Sequence, residues 1–319
     1  HRLYREDAGL LRTAESESAR QGSGADFRYG GSMNRSGFAW EKLLDAAIAS
    51  NVETALAEDV GTGDLTASLL PPDEQVSGHL IVREKAVLCG IPWFEAVMHR
   101  LDNSITIQWR YNEGDEMAAD SEVCSISGPV RAILTGERTA MNFLQLLSGV
   151  ATATREYVRL VDGTHARIYD TRKTVPGLRI AQKYAVSVGG GENQRLALYD
   201  AILIKENHIA AAGGIRQSLE QAAKKAGVPV QIEVETLVQL QEALAAGARS
   251  ILLDNFTLDD MREAVRIARD SGMGAVLEAS GGIDRRTIRD IAETGVDRIS
   301  IGELTKHVRA TDYSLRLLS

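Results

Sequence analysis

Apolar positions along the chain change their period twice. From Phe38 to about Glu58, Trp40, Leu43, Leu44, Ala47 and Ile48 recur at helical spacing, which predicts an amphipathic helix. The stretches His79–Glu84, Ile105–Tyr111 and Glu122–Ser127 alternate apolar with polar residues, as half-buried strands do. Asn112-Glu113-Gly114-Asp115 and Ser127-Gly128-Pro129 read as turns between them. A long helix is expected from about Thr135 to Leu160, broken near Ser148-Gly149, with Leu144, Leu146 and Leu147 as core. This part is α+β.

After about residue 165 short apolar runs alternate with helical segments. The runs are Ala166–Tyr169, Ala201–Ile204, Val230–Val234, Ser250–Leu253, Ala275–Leu277 and Arg298–Ile301, each ending in polar or charged residues. Thr257 with Asp260 resembles a capping box, Thr236 opens another helix, and Asp284 is expected to cap a third. Repeated strand–helix units imply a parallel sheet with right-handed crossovers. About six units are present, fewer than the roughly eight of a closed barrel, so the expected fold class is α/β with an incomplete β/α barrel of six or seven strands.

Residues 1–32 have no lasting apolar period and read as a solvated or artificial leader, with Met33 a plausible native start. A net charge of −8 argues against a general nucleic-acid surface, although basic residues that converge locally still bind anions. The two cysteines, Cys89 and Cys124, sit among small or apolar residues and are expected to be buried thiols of a cytoplasmic protein. No run approaches the roughly 18 apolar residues that a membrane span needs.

The chemistry lies at the strand ends. Arg172, Lys173, Arg195 and Lys205, with Arg179 and Lys183 nearby, would share one mouth with Glu235 and Asp254. Ser280-Gly281-Gly282 and Ile301-Gly302 follow the last strands, where barrels often hold a phosphate on free backbone N–H groups. Bases facing paired carboxylates suggest a polyanionic substrate whose sugar hydroxyls or metal ion rest on the acids. Gly189-Gly190-Gly191 reads either as a phosphate loop or as a close-approach turn. Asp59 and Asp64 read as turn or cap residues ahead of a metal pair, and His208 as a hydrogen-bonded support.

Several stretches resemble the quinolinate phosphoribosyltransferase family. They are ALAEDVGTGDLT at 55–66, GERTAMNFLQLLSGVAT at 136–152, DTRKTVPGLRIAQKYAVSVGGG at 170–191 and LIKENH at 203–208. The EVE of 233–235, LLDN at 252–255, EASGG at 278–282 and ISIGELTKHV at 299–308 continue the series in order. The resemblance implies phosphoribosyl transfer from phosphoribosyl pyrophosphate to quinolinate, with Mg²⁺, yielding nicotinate mononucleotide, pyrophosphate and carbon dioxide in NAD synthesis. It also implies an N-terminal open sandwich over 33–148, a barrel over 149–304, a tail over 305–319 packed back on the sandwich, and a homodimer, or higher oligomer, with shared sites.

By the same resemblance, Lys173, Lys205, Glu235 and Asp254 are the catalytic set. Glu235 and Asp254 lie near ribose and metal, and Ser280, Gly281, Gly282 and Gly302 hold the 5′-phosphate. Arg138, Arg172, Gln194 and Arg195 face the acceptor's carboxylates, Arg138 from the partner subunit. One position departs: Asn193-Gln194-Arg195-Leu196-Ala197-Leu198 stands where the family has Asn-His-Arg then Leu-Gly-Leu, and glutamine donates a hydrogen bond without charge. Two other readings compete: a relative with another acceptor, such as the molybdenum-transport-associated type, and a lyase with a Schiff base on Lys205.

Overall fold

The computed structural model describes residues 40–318 apart from Ala226, so the leader expected over residues 1–32 lies outside the described residues. Helix α1 (Trp40–Asp59) buries Leu44 and Val52. Strands β1 (Gln75–Val82), β3 (Thr106–Trp109), β5 (Glu122–Pro129) and β12 (Tyr313–Leu317) form an antiparallel sheet in the order β12-β1-β5-β3. Its inner face places Leu80, Val82, Cys124 and Ile126 in one core with Trp93 and Phe94 of α2 (Ile91–Leu101). Strands β2 (Ala86–Val87) and β4 (Glu116–Met117) pair beside it.

Glu113, from the predicted turn, reaches the start of α2. Its Oε1 accepts from Gly90 N at 2.6 Å and its Oε2 from Ile91 N at 3.1 Å, which satisfies donors that a helix N-terminus leaves open.

Two expectations need correction. Ser127-Gly128-Pro129 is not a turn but the end of β5, opposite Ser77, Val76 and Gln75. Pro129, at φ −60°, hands the chain directly to α3 (Val130–Leu160), a use of proline's fixed φ that residue type alone does not reveal. Nor is α3 broken at Ser148-Gly149. The returning tail crosses there, and a Cβ on Gly149 would stand 2.3 Å from the Arg309 carbonyl oxygen. Ser148 Oγ meets the Tyr313 hydroxyl at 2.8 Å, and β12 pairs antiparallel with β1 from Gly78↔Leu317 to Val82↔Tyr313.

The second sheet is parallel, in the order β6-β11-β10-β9-β8-β7. Its strands are β6 (Arg167–Tyr169), β7 (Ile202–Ile204), β8 (Val230–Val234), β9 (Ser250–Asp254), β10 (Val276–Ser280) and β11 (Arg298–Ser300). No pairing joins β6 to β7 among the described residues, which leaves the barrel incomplete. Helices α4 (Arg179–Val188), α5 (Glu206–Ala212), α6 (Ile215–Ala223), α7 (Leu237–Ala245), α8 (Leu258–Asp270), α9 (Ile288–Ala292) and α10 (Glu303–Lys306) intervene.

Thr236 and Thr257 cap α7 and α8 by accepting from Gln239 N and Asp260 N. Asp284 instead closes a turn ahead of α9, accepting from Arg286 N and Thr287 N. The triple glycine is a close-approach turn: a Cβ on Gly189 would lie 2.6 Å from Ala151 O and from Thr154 Cβ of α3.

Alternation along the strands sorts the side chains. Ile232, Val234, Ile251, Leu253, Leu277, Ala279 and Ile299 are buried among the hydrophobic residues of the core. Gln231, Glu233, Glu278 and Arg298 share the opposite faces with Leu203 and Leu252, so the barrel interior carries a polar group among apolar side chains.

Candidate active site

Strand register brings the chemistry to one rim. Asp254 is opposite Ser280, Leu253 opposite Val234, Ile204 opposite Ile232, and Ser300 opposite Tyr169. Asp170, Glu235, Asn255 and Gly281, which follow these strands, therefore leave the C-terminal edge close in level, with Lys205 two residues lower, level with Glu233, and Gly302 just after Ile301.

The loop after β6 supplies cations. Lys173 is exposed and lies over Gly302, where a Cβ would come 2.9 Å from Lys173 Cδ and 3.6 Å from Nζ. Thr305 Oγ1 donates to the Lys173 carbonyl at 2.9 Å, which ties this loop to the start of α10. Arg172 Nε is buried without a hydrogen-bond partner among the described residues. Arg195 stands close enough to Arg172 that, after burial, the neighbouring guanidinium is the next cause lowering its pKa. A buried N–H lacking a partner beside a second cation makes a seat for an anion with more than one charged oxygen.

Beneath them lies a buried pair. Lys183 Nζ donates to Asp170 Oδ1 at 2.6 Å, and both side chains are fully buried. Burial pushes the Asp170 carboxyl up and the Lys183 amine down, their mutual attraction offsetting only part of each shift. The pair grips Gln194: Asp170 Oδ1 accepts from its backbone N at 2.8 Å, and Lys183 Nζ donates to its carbonyl at 3.0 Å. The Gln194 side-chain amide donates to Glu278. Lys183, expected near the mouth, is a scaffold residue instead, because α4 is buried on nearly all sides.

The opposite wall carries carboxylates. Lys205 Nζ bonds Glu233 Oε2 at 2.7 Å, and its backbone N donates to His208 Nδ1, so His208 supports the start of α5. This engaged ammonium lacks the apolar pocket in which a lysine nucleophile is activated, which disfavours the Schiff-base reading. Glu235 is exposed, and Asp254 accepts from Asn255 Nδ2 at 2.9 Å. Asn255 also shapes the glycine loop: Gly281 has φ +97°, and a Cβ there would stand 2.1 Å from Asn255 Oδ1. Ser280 and Gly282 flank it, and Gly282 is exposed.

No group of three or more His, Cys, Asp or Glu residues forms a metal cage among the described residues. Glu235 and Asp254 do offer two carboxylates on neighbouring strand ends, the donor set of a Mg²⁺ that also holds substrate phosphates.

Arg138 sits on α3 rather than at a strand end of the barrel. It is exposed on α3, one turn from Thr135 and next to Thr139, which bond Asp64 and Asp59. Asp64 also accepts from Thr66 N and Ala67 N, so EDVGTGD is a capped turn. A cavity of about 170 Å³ between α3, α10 and the tail has its arginines already paired, Arg285 with Glu156 and Arg309 with Glu84.

Sequence reading missed Asp170, Gln231, Glu233 and Glu278 as parts of the site. Glu233 and Glu278 sat inside quoted motifs, and the two-residue strand period would have put Gln231 and Glu233 on the face of Glu235.

The comparisons with known proteins agree with this fold. Residues 64–148 match the quinolinate phosphoribosyl transferase N-terminal domain and residues 150–316 its C-terminal domain. The probable nicotinate-nucleotide pyrophosphorylase [carboxylating] of Bacillus subtilis is 39% identical over 260 residues, covering 81% of this chain and 89% of that protein. The nicotinate-nucleotide pyrophosphorylase [carboxylating] of Mycobacterium leprae is 38% identical over 279 residues, covering 86% and 98%. A solved nicotinate-nucleotide pyrophosphorylase from Francisella tularensis superposes with a TM-score of 0.83 at 45% identity, covering 86% of this chain and 97% of that one. With both domains matched and most of the length of such relatives spanned, the chain belongs to the quinolinate phosphoribosyl transferase family.

Proposed function

We propose that this protein transfers the phosphoribosyl group of phosphoribosyl pyrophosphate to quinolinate, producing nicotinate mononucleotide, pyrophosphate and carbon dioxide for NAD synthesis. The observation that carries the reading is the Arg172–Arg195 pair with its unpartnered buried Nε, a seat suited to a dicarboxylate.

The pyridine nitrogen attacks the anomeric carbon as pyrophosphate departs with the bonding electrons. The 2-carboxylate then leaves as carbon dioxide, and a proton takes its place on the ring. Arg172 and Arg195 orient the acid, so the gain comes largely from placement. Lys173 and Lys205 stabilise charge on the leaving pyrophosphate, while Glu235 and Asp254 sit where negative charge favours an oxocarbenium-like ribose. Ser280, Gly281, Gly282 and Gly302 receive the 5′-phosphate on backbone N–H groups. When bound at Glu235 and Asp254, Mg²⁺ supplies further neutralisation of the pyrophosphate.

The protein acts in the cytoplasm as a homodimer, with Arg138 of each subunit completing the other's acceptor seat. That arrangement gives the exposed Arg138 a role, and Leu65 and Leu69, exposed nearby on the same domain, a surface to cover. No helix of the described residues is long and apolar enough to cross a membrane.

The test offers quinolinate and nicotinate separately with phosphoribosyl pyrophosphate and Mg²⁺. Pyrophosphate release with quinolinate supports the reading, and release with nicotinate alone overturns it. Mixing Arg138→Ala with Lys173→Ala subunits restores partial activity if sites are shared; no recovery after subunit exchange counts against the dimer.

A further inference from the structure

Glu278 is a fully buried carboxylate in the interior of the barrel, and no direct ion pair neutralises it among the described residues. Its hydrogen-bond partners are neutral. Oε1 takes the Gln194 side-chain amide, Oε2 takes Gln231 Nε2 at 2.9 Å, and the Ser300 hydroxyl contributes. Arg298 acts on it through space, while its own guanidinium stacks over Tyr169 at 4.9 Å.

Gln194 is held at three points. Asp170 fixes its N–H, Lys183 its C=O and Glu278 its side-chain nitrogen. A glutamine amide has a donor end and an acceptor end of nearly equal shape, so an unsupported one can present either. Here the nitrogen end faces inward, donating to Glu278 Oε1. The carbonyl oxygen and the second N–H are then turned elsewhere, in the residue adjoining Arg195.

We propose that Glu278 is a positioning residue for the acceptor: by fixing the Gln194 amide, it sets the hydrogen-bond pattern that the acid meets beside Arg172 and Arg195. This assignment rests on the transferase reading and names the specificity element within that site. Gln231 holds the second oxygen of Glu278 and so keeps the carboxylate from turning away.

The replacement Glu278→Gln supplies the experiment, because an amide at 278 can offer its own nitrogen and turn the Gln194 amide end for end. Steady-state kinetics are measured for wild type, Glu278→Gln, Gln194→Met and the double variant. Each single variant raises the KM for quinolinate about tenfold, the effect of one misplaced hydrogen bond, while kcat falls less than KM rises and the KM for phosphoribosyl pyrophosphate moves less than about twofold. The double variant is no worse than the poorer single one, since Glu278 acts through Gln194.

Multiplying effects, or equal changes in both KM values, overturn the assignment. If Glu278→Gln does not fold, Gln231→Met serves: a smaller rise in quinolinate KM supports the assignment, and an unchanged KM overturns it. Absence of wild-type turnover with quinolinate sinks the transferase reading and this assignment together, whereas turnover with an additive cycle sinks the assignment alone.

Discussion

Two lysine–carboxylate pairs stand at the ends of the strands that border the barrel opening. Near β6, Lys183 meets Asp170 at 2.6 Å with neither side chain exposed; at the end of β7, Lys205 meets Glu233 at 2.7 Å with 47% of the lysine and 11% of the glutamate exposed. The chemistry and distance are nearly the same, but the surroundings differ. Lys183 is also bonded to the Gln194 carbonyl, and the Gln194 N–H is bonded to Asp170, so that pair is spent on shape. Lys205 has solvent on one side and can turn its charge to a ligand. Burial separates a charge that builds a site from one that works in it.

The comparison breaks most sharply at the buried pair. Lys183→Met leaves Asp170 without its cation in a dry site, and a loss of about 3–5 kcal/mol is expected. Urea unfolding measures it, and a loss below about 1 kcal/mol would mean that water already reaches the pair. Lys205→Ala should show the opposite profile: stability changes by less than about 1 kcal/mol, because exposed ion pairs contribute little. Turnover with saturating substrates should fall at least about 100-fold if Lys205 stabilises departing pyrophosphate. Arg172→Lys tests the seat above the buried pair, and the loss of planar two-point pairing should raise quinolinate KM about tenfold.

The smallest effect belongs to Asp64, whose carboxyl is held below its usual value by the Ala67 N–H and the Thr135 hydroxyl. A depressed folded-state value means that its contribution is present above 3.8, the ordinary value, and is lost as pH falls through the lower folded one. The gap in melting temperature between wild type and Asp64→Asn should therefore close in strong acid and stay constant near neutrality.

The sequence made the strand–helix rhythm legible because each buried parallel strand is a short apolar run ending in chemistry, as at Ser250–Asp254. Hairpin and helix limits were less legible, since Ser127-Gly128-Pro129 has turn composition but its backbone pairs with residues 75–77. Gly149 invited a helix break because the carbonyl it accommodates belongs to Arg309, 160 residues away in sequence. Lys183 looked like a mouth residue for the same reason: charge is visible in a sequence, but the closing of α4 against its surroundings is not. Glu278 lies past the end of the apolar run Ala275–Leu277, whereas β10 continues to Ser280 and period-two alternation turns Glu278 inward.

The pairing of β12 with β1 has a consequence during synthesis. Residues 75–82 leave the ribosome early, yet their outer neighbour is residues 313–317, so the first sheet keeps a bare edge while the whole barrel is being made. The pairing of Gly78–Val82 with β12 must wait for Tyr313–Leu317, and until then that edge is open to any extended chain that meets it. The final strand thus acts as a quality seal: a chain cut short before Tyr313 would carry every residue of the barrel mouth and still expose an adhesive edge.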